Sequence, residues 1–153
     1  MSETSGSKGI VVGVDGSDQS RAALEWAIEE ARLRGSALRV VYVFPALRGW
    51  NTPISPAYYE QFESDAKAML TEFLGGVPAL DDLPDVSRLV VGGNAATVLV
   101  DLSGDADLLV VGSRGRGGFS SLVLGSVSTQ SVHHARCPVV VVPAPESPAG
   151  EES

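Results

Sequence analysis

The sequence predicts an α/β protein, a single doubly wound five-stranded parallel sheet with helices on both faces. Three observations predict it. Short apolar runs recur along the chain, apolar residues at helical spacing separate them, and glycine or proline marks most junctions. Strands alternating with helices join through right-handed crossovers into a parallel sheet. A length of 153 residues suits one such domain and one core.

Ile10–Val14 reads as the first strand, stopped by Asp15-Gly16-Ser17. Leu24, Ala27, Ile28 and Ala31 then form a helical stripe that ends at Gly35, with Ser17 or Asp18 as its N-cap. Leu38–Phe44 is the second strand. A loop containing Pro45, Pro53 and Pro56 follows, before the stripe Phe62, Ala66, Met69, Leu70 and Phe73. Residues 86–91 are the third strand, and Asn94 caps a helix with Ala95, Val98, Leu99 and Leu102 on one face. Residues 108–111 and 139–142 are continuous apolar runs, as expected of strands covered on both faces, with a fourth helix between them starting near Ser126. Residues 1–8 and 144–153, rich in Ser, Glu, Gly and Pro, read as flexible tails around a domain spanning 9–143.

Eleven Lys and Arg against nineteen Asp and Glu give a net charge of -8. A surface of that sign repels a phosphodiester backbone, which argues against nucleic acid as a partner. No run approaches the roughly 18 apolar residues of a membrane helix, and residues 1–8 lack a signal-peptide core. The expectation is therefore a cytoplasmic protein with no membrane partner. Cys137, the one cysteine, has no internal disulfide partner and reads as a small buried hydrophobe.

Parallel sheets of this kind bind ligands beyond the carboxyl ends of their strands, where the strand order reverses. The loop after the fourth strand is long and rich in glycine: Gly112-Ser113-Arg114-Gly115-Arg116-Gly117-Gly118, leading to Gly125-Ser126 at the next helix. Glycines let backbone N–H groups approach an anion, and a helix start offers unpaired N–H donors at the positive end of its dipole. Arg114 and Arg116 would add positive charge to an acidic chain, and the Ser126 and Ser128 hydroxyls further hydrogen bonds. The loop therefore suits a phosphate. A G-x-x-x-x-G-K-S/T loop and a G-x-G-x-x-G turn after the first strand are both missing, so neither a P-loop ATPase nor a dinucleotide-binding enzyme is indicated.

The spacing is G-x2-G-x9-G-S/T, met by Gly112, Gly115 and Gly125-Ser126. With Val11 through Ser17, Ala106 through Gly115 and residues 125–142, it resembles the ATP-binding branch of the universal stress protein family. The resemblance implies a strand order of 3-2-1-4-5, which sets the loops after strands one and four side by side. It also implies that Asp15 bonds a ribose or helps hold a phosphate-bound Mg2+, and that the Val43 backbone meets the adenine edge. Gly112, Ser113, Arg114 and Gly115 would line one side of the phosphates, and Gly125, Ser126, Val127 and Ser128 the other. The alternative for Asp15 is a turn or helix-entry residue bonding nearby amides, but its place beyond a strand's carboxyl end favours function.

Other polar residues carry less. His133 and His134 are adjacent and lack an i, i+4 partner, as expected of surface histidines rather than metal ligands. Asp81, Asp82 and Asp85 lie in a proline-bounded turn, and Asp105 and Asp107 flank a strand start. No serine sits in a G-x-S-x-G elbow, so no catalytic residue is assigned. Trp26, Phe62 and Phe73 fit core positions, whereas Trp50, Tyr58 and Tyr59 sit in or beside the loop after strand two.

The reading is an ATP-binding stress-response regulator with at most slow hydrolysis. Two rivals stand beside it. One is a dimeric interaction module that binds cyclic AMP or no nucleotide. The other is an ATP pyrophosphatase, although the Ser-Gly-Gly-x-Asp-Ser type of loop is not present after strand one. Strand five, Val139–Val142, is expected to be an edge that pairs with a second copy, limited by Pro138 and Pro143.

Overall fold

The computed structural model describes residues 7–45, 55–114 and 125–143. In chain order the elements are β1 (Ile10–Val14), α1 (Asp18–Arg34), β2 (Leu38–Phe44), α2 (Pro56–Gly75), a 3-10 helix (Pro78–Asp82), β3 (Val86–Gly92), α3 (Ala95–Ser103), β4 (Leu108–Gly112), α4 (Ser126–His134) and β5 (Val139–Val142). All four strand pairings are parallel, and the strand order is β3-β2-β1-β4-β5. The chain thus starts in the middle of its own sheet, and the reversal point lies between β1 and β4.

Strand alternation divides the core in two. Ile10, Val12 and Val14 of β1, Leu38 and Val40 of β2, and Leu108 and Val110 of β4 turn to one face, which α1 and α2 cover with Leu24, Ile28, Leu70 and Phe73. Val11, Val41, Leu109 and Val111 turn to the other, under Leu99 of α3 and Val127 of α4. Gly13 permits the close approach of α3, since a Cβ there would stand 2.7 Å from Leu99 Cδ1. Both ends of α1 are set by sequence: the Ser17 side chain accepts the Ser20 N–H at the start, and Gly35 caps the end.

Several local expectations change. Pro56 does not lie in the loop but opens α2 behind the cap residue Ser55, where its missing N–H costs nothing. Tyr58 and Tyr59 consequently stand on the first turns of α2, and the Tyr59 ring meets Phe44 edge-on at 5.4 Å. Trp26 is 37% exposed on the outer side of α1, because the buried stripe runs through Ser20, Ala23, Leu24, Ala27, Ile28 and Ala31. Cys137 is half-buried rather than enclosed, and burial, with the Asp107 carboxylate nearby, raises its thiol pKa. Ser7 and Lys8 belong to the bonded structure: the Ser7 hydroxyl and the Lys8 and Gly9 N–H groups donate to Asp107 Oδ2 at 2.8, 2.8 and 3.2 Å. Residues 1–6 and 144–153, and Trp50, fall outside the described residues.

Strand β5 forms one edge of the sheet. Leu109 N–H donates to Pro138 O at 3.0 Å and Ser113 N–H to Val142 O at 2.8 Å. Even-numbered residues of β5 therefore turn their main chain toward β4, and alternation turns that of Val139 and Val141 outward.

Candidate functional site at the carboxyl ends of β1 and β4

Asp15 is the first residue beyond β1 and Ser113 the first beyond β4, so strand order brings both loops to the reversal point. The end of β4 meets the start of α1. A Cβ on Gly112 would stand 3.2 Å from the Gln19 carbonyl, tighter than an ordinary contact, so glycine eases the passage of β4 beside the start of α1. Gln19 was not among the residues expected here, and a main-chain carbonyl leaves no signature in residue type.

The β1 loop is organised by Asp15. Its Oδ1 accepts the Ser17 N–H at 2.9 Å and the Ser17 hydroxyl at 2.5 Å, while its own N–H donates to Ser20 Oγ at 3.2 Å. Ser20 Oγ in turn donates to Ser17 O at 3.0 Å. The turn role weighed from sequence is thus present in the structure. Ser17 and Ser20, spaced as cap and third helical residue, were the legible sign of this network.

The end of β4 and the start of α4 are joined through the Ser113 main chain. Ser113 is buried, and its carbonyl accepts the Gly125 N–H at 2.6 Å and the Ser128 hydroxyl at 2.8 Å. These bonds fix the start of α4 against the end of β4. They also use up two groups expected to face a ligand, the Gly125 N–H and the Ser128 hydroxyl, the latter donating to Gly125 O at 3.1 Å as well. What α4 offers instead is its first turn of N–H groups, at Ser126, Val127 and Ser128, which have no acceptor within the helix. Side chains of Ser17, Ser55 and Asn94 cap α1, α2 and α3, whereas Gly125 gives α4 no side-chain cap. Nor does the first turn of α4 hold an acid, in contrast to Asp18 in α1.

Val43 lies on the far side of β1. Phe44 O accepts the Gly93 N–H at 2.9 Å, so alternation turns the Val43 main chain toward β1, whose register with β2 ends at Val14↔Tyr42. Its position is therefore just beyond the last rung and beside Asp15. Arg114 follows Ser113 and is half-buried. Gly115 and Arg116 lie outside the described residues. Of the ten residues expected to meet a nucleotide, Asp15, Gly112, Ser113 and Arg114 and the α4 start thus share the carboxyl end of the sheet, flanked by Val43.

His133 and His134 are exposed in the last turn of α4. Among the described residues no group of three or more His, Cys, Asp or Glu is placed to hold a metal ion, and no helix is long and apolar enough to cross a membrane.

The universal stress protein family model matches residues 6–143. A universal stress protein of Mycobacterium tuberculosis is 35% identical over 147 residues, covering 93% of this chain and 50% of that protein. The chain thus spans about half the length of the curated relatives it matches. A solved universal stress protein in complex with cAMP is 25% identical with a TM-score of 0.58, over 89% of this chain and 96% of that one. The universal stress protein from Archaeoglobus fulgidus in complex with dAMP is 26% identical with a TM-score of 0.55, over 88% and 96% of the two chains. On the match over residues 6–143, the chain belongs to the universal stress protein family.

Proposed function

We propose that this protein binds an adenine nucleotide, ATP above others, at the carboxyl ends of β1 and β4, and acts as a nucleotide-dependent regulator in the cytoplasmic stress response. The observation that carries the reading is the start of α4. Three N–H groups at the positive end of a helix dipole stand at the reversal point with glycine as their cap, an arrangement that an anion completes. The phosphates would take the Ser126, Val127 and Ser128 N–H groups, with Gly112, Ser113, Arg114 and Gly115 along the opposite side. The base would reach the Val43 main chain across the Asp15 turn. The two relatives solved with cAMP and dAMP support an adenine ligand.

Mg2+ fits as an ion carried by the nucleotide. Such ions take one or two carboxylates and complete their shell with phosphates and water, and Asp15 is the carboxylate at hand. The bound ion would offset phosphate charge. Hydrolysis is at most slow, because fast phosphoryl transfer needs a group that orients the attacking water, and none is assigned here.

The reading extends to a homodimer. Val139 and Val141 each turn an N–H and a C=O outward from β5, so a copy related by a two-fold axis at Val140 would pair Val139 with the other Val141 and the reverse. Each pair exchanges two hydrogen bonds, and Pro143, without an N–H, stops the ladder. The strand carries no charge that would repel a copy, unlike a guarded edge.

Thermal unfolding of nucleotide-stripped protein tests the ligand. ATP with Mg2+ at about 100 times its dissociation constant should stabilise the fold by roughly 2.7 kcal/mol, while GTP with Mg2+ should not. A rise with cAMP alone would transfer the site to the cyclic nucleotide, as the cAMP-bound relative favours. No rise with any of them would overturn the reading. Turnover above about 1 per second, a kinase-like rate, would overturn slow hydrolysis.

A further inference from the structure

The geometry points to a coupling between the nucleotide site and the β5 edge, transmitted by the main chain of Ser113. The inference rests on the nucleotide and dimer readings above and adds that each event strengthens the other.

Among the described residues Ser113 bonds to both places. Its N–H donates to Val142 O, the last carbonyl of β5, at 2.8 Å. Its carbonyl holds the α4 start through the Gly125 N–H at 2.6 Å and the Ser128 hydroxyl at 2.8 Å. A phosphate on the first turn of α4 and a second copy on β5 therefore act on the two main-chain groups of a single residue, in the peptide planes on either side of its Cα. Ser113 is 8% exposed, and Gly112 before it passes close beside the Gln19 carbonyl, so the residue has little room to move by itself.

β5 is the element whose state both events would bias. It has four residues, all half-buried, and pairs only with β4 among the described residues. Short edge strands sit at the low-stability end of a fold. Nucleotide bound at α4 fixes Ser113 and through it Val142, so pairing of the Val139 and Val141 edge then orders less chain. By linkage, pairing must raise nucleotide affinity by the same factor.

The experiment measures that factor from both sides. Sedimentation of the full chain over a concentration series gives the dimer dissociation constant without nucleotide, with ATP plus Mg2+, and with cAMP. Titration calorimetry gives nucleotide affinity for the wild type and for Val141→Pro, which removes an outward N–H that makes no hydrogen bond among the described residues. The expected result is a dimer constant tightened about 5- to 150-fold by nucleotide, the usual range of such couplings, and an equal weakening of nucleotide binding in Val141→Pro. Ser128→Ala, which cuts one of the two bonds to the Ser113 carbonyl, should shrink the factor. The wild-type series stands even where Val141→Pro fails to fold. Nucleotide bound equally well by monomer and dimer, with the dimer constant unchanged, would overturn the coupling and leave the nucleotide reading intact. No nucleotide bound, or a monomer at every concentration, would overturn the coupling together with the reading beneath it.

Discussion

The hydroxyl of Ser128 donates to the main-chain carbonyl of Ser113 at 2.8 Å, a buried bond across fifteen positions that closes the glycine-rich loop onto its own strand. Ser128→Ala leaves that carbonyl with the Gly125 N–H alone. A net hydrogen bond contributes about 0.5–1.5 kcal/mol, so the melting temperature should fall by a few degrees, as differential scanning calorimetry would record. An unchanged value would mean that the Gly125 bond closes the loop unaided.

Ser131 makes the opposite case one turn later. It is fully buried, and its hydroxyl has no hydrogen-bond partner among the described residues. An unsatisfied buried polar group costs about 1–3 kcal/mol. Ser131→Ala should hold or raise stability in urea unfolding, and a loss above about 1 kcal/mol would assign the hydroxyl a partner.

Asp15 can be separated into its charge and its turn. Asp15→Asn keeps an acceptor for the Ser17 N–H and hydroxyl, whereas Asp15→Ala removes it. Stability should follow Ala below Asn. If the carboxylate also serves a Mg2+-nucleotide, both variants should weaken ATP binding in calorimetry. Affinity unchanged in both would leave Asp15 as a turn residue only.

Gly125→Val tests the anion site without a backbone penalty. Gly125 has φ -83° and ψ 178°, angles open to any residue. A side chain added at the cap of α4 should intrude on a phosphate bound there, so ATP affinity should drop at least tenfold while circular dichroism stays that of the wild type. Full affinity in a folded variant would rule out phosphate at this turn.

Asp107 gives a pH dependence. Its pKa lies below the ordinary 3.8, first through the Ser7 hydroxyl and then through the Gly9 and Lys8 N–H groups, against a smaller opposing effect of burial. A depressed carboxylate stabilises the fold fully above its unfolded pKa and loses that contribution as pH falls through the folded one. Stability of the wild type should therefore approach that of Asp107→Asn as pH drops from about 5 to about 2. A constant gap across this range in urea titrations would show that the charge is not what ties residues 7–9 to β4.

The fold was readable because hydrophobic pattern and punctuation agree. Val11 and Val12 turn to opposite sheet faces under different helices, which is why β1 reads as an unbroken apolar run. Asn94 and Ser17 cap the helices that their spacing indicated. Trp26 misled because an aromatic at helical spacing looks like core, yet one position separates it from the buried stripe at Ala27. In the site, Gly112 was legible as a close approach, but its neighbour, the Gln19 carbonyl, was not. The same holds for Ser113: its side chain suggested a ligand contact, while the main chain does the organising, and main-chain roles are nearly independent of residue type.

The register Ile10↔Leu108 joins residues about a hundred positions apart. During synthesis at about 5–20 residues per second, β1 emerges roughly 5–20 seconds before the strand that covers its second side. Through that interval β1 keeps one side unpaired, and in its last part, once β2 and β3 have emerged, it is the bare edge of a three-stranded sheet, the kind of template that recruits other nascent chains. The strand at the centre of the finished sheet thus spends much of synthesis as an edge, and this makes the ribosome-bound half-sheet, rather than the folded protein, the form most in need of a chaperone.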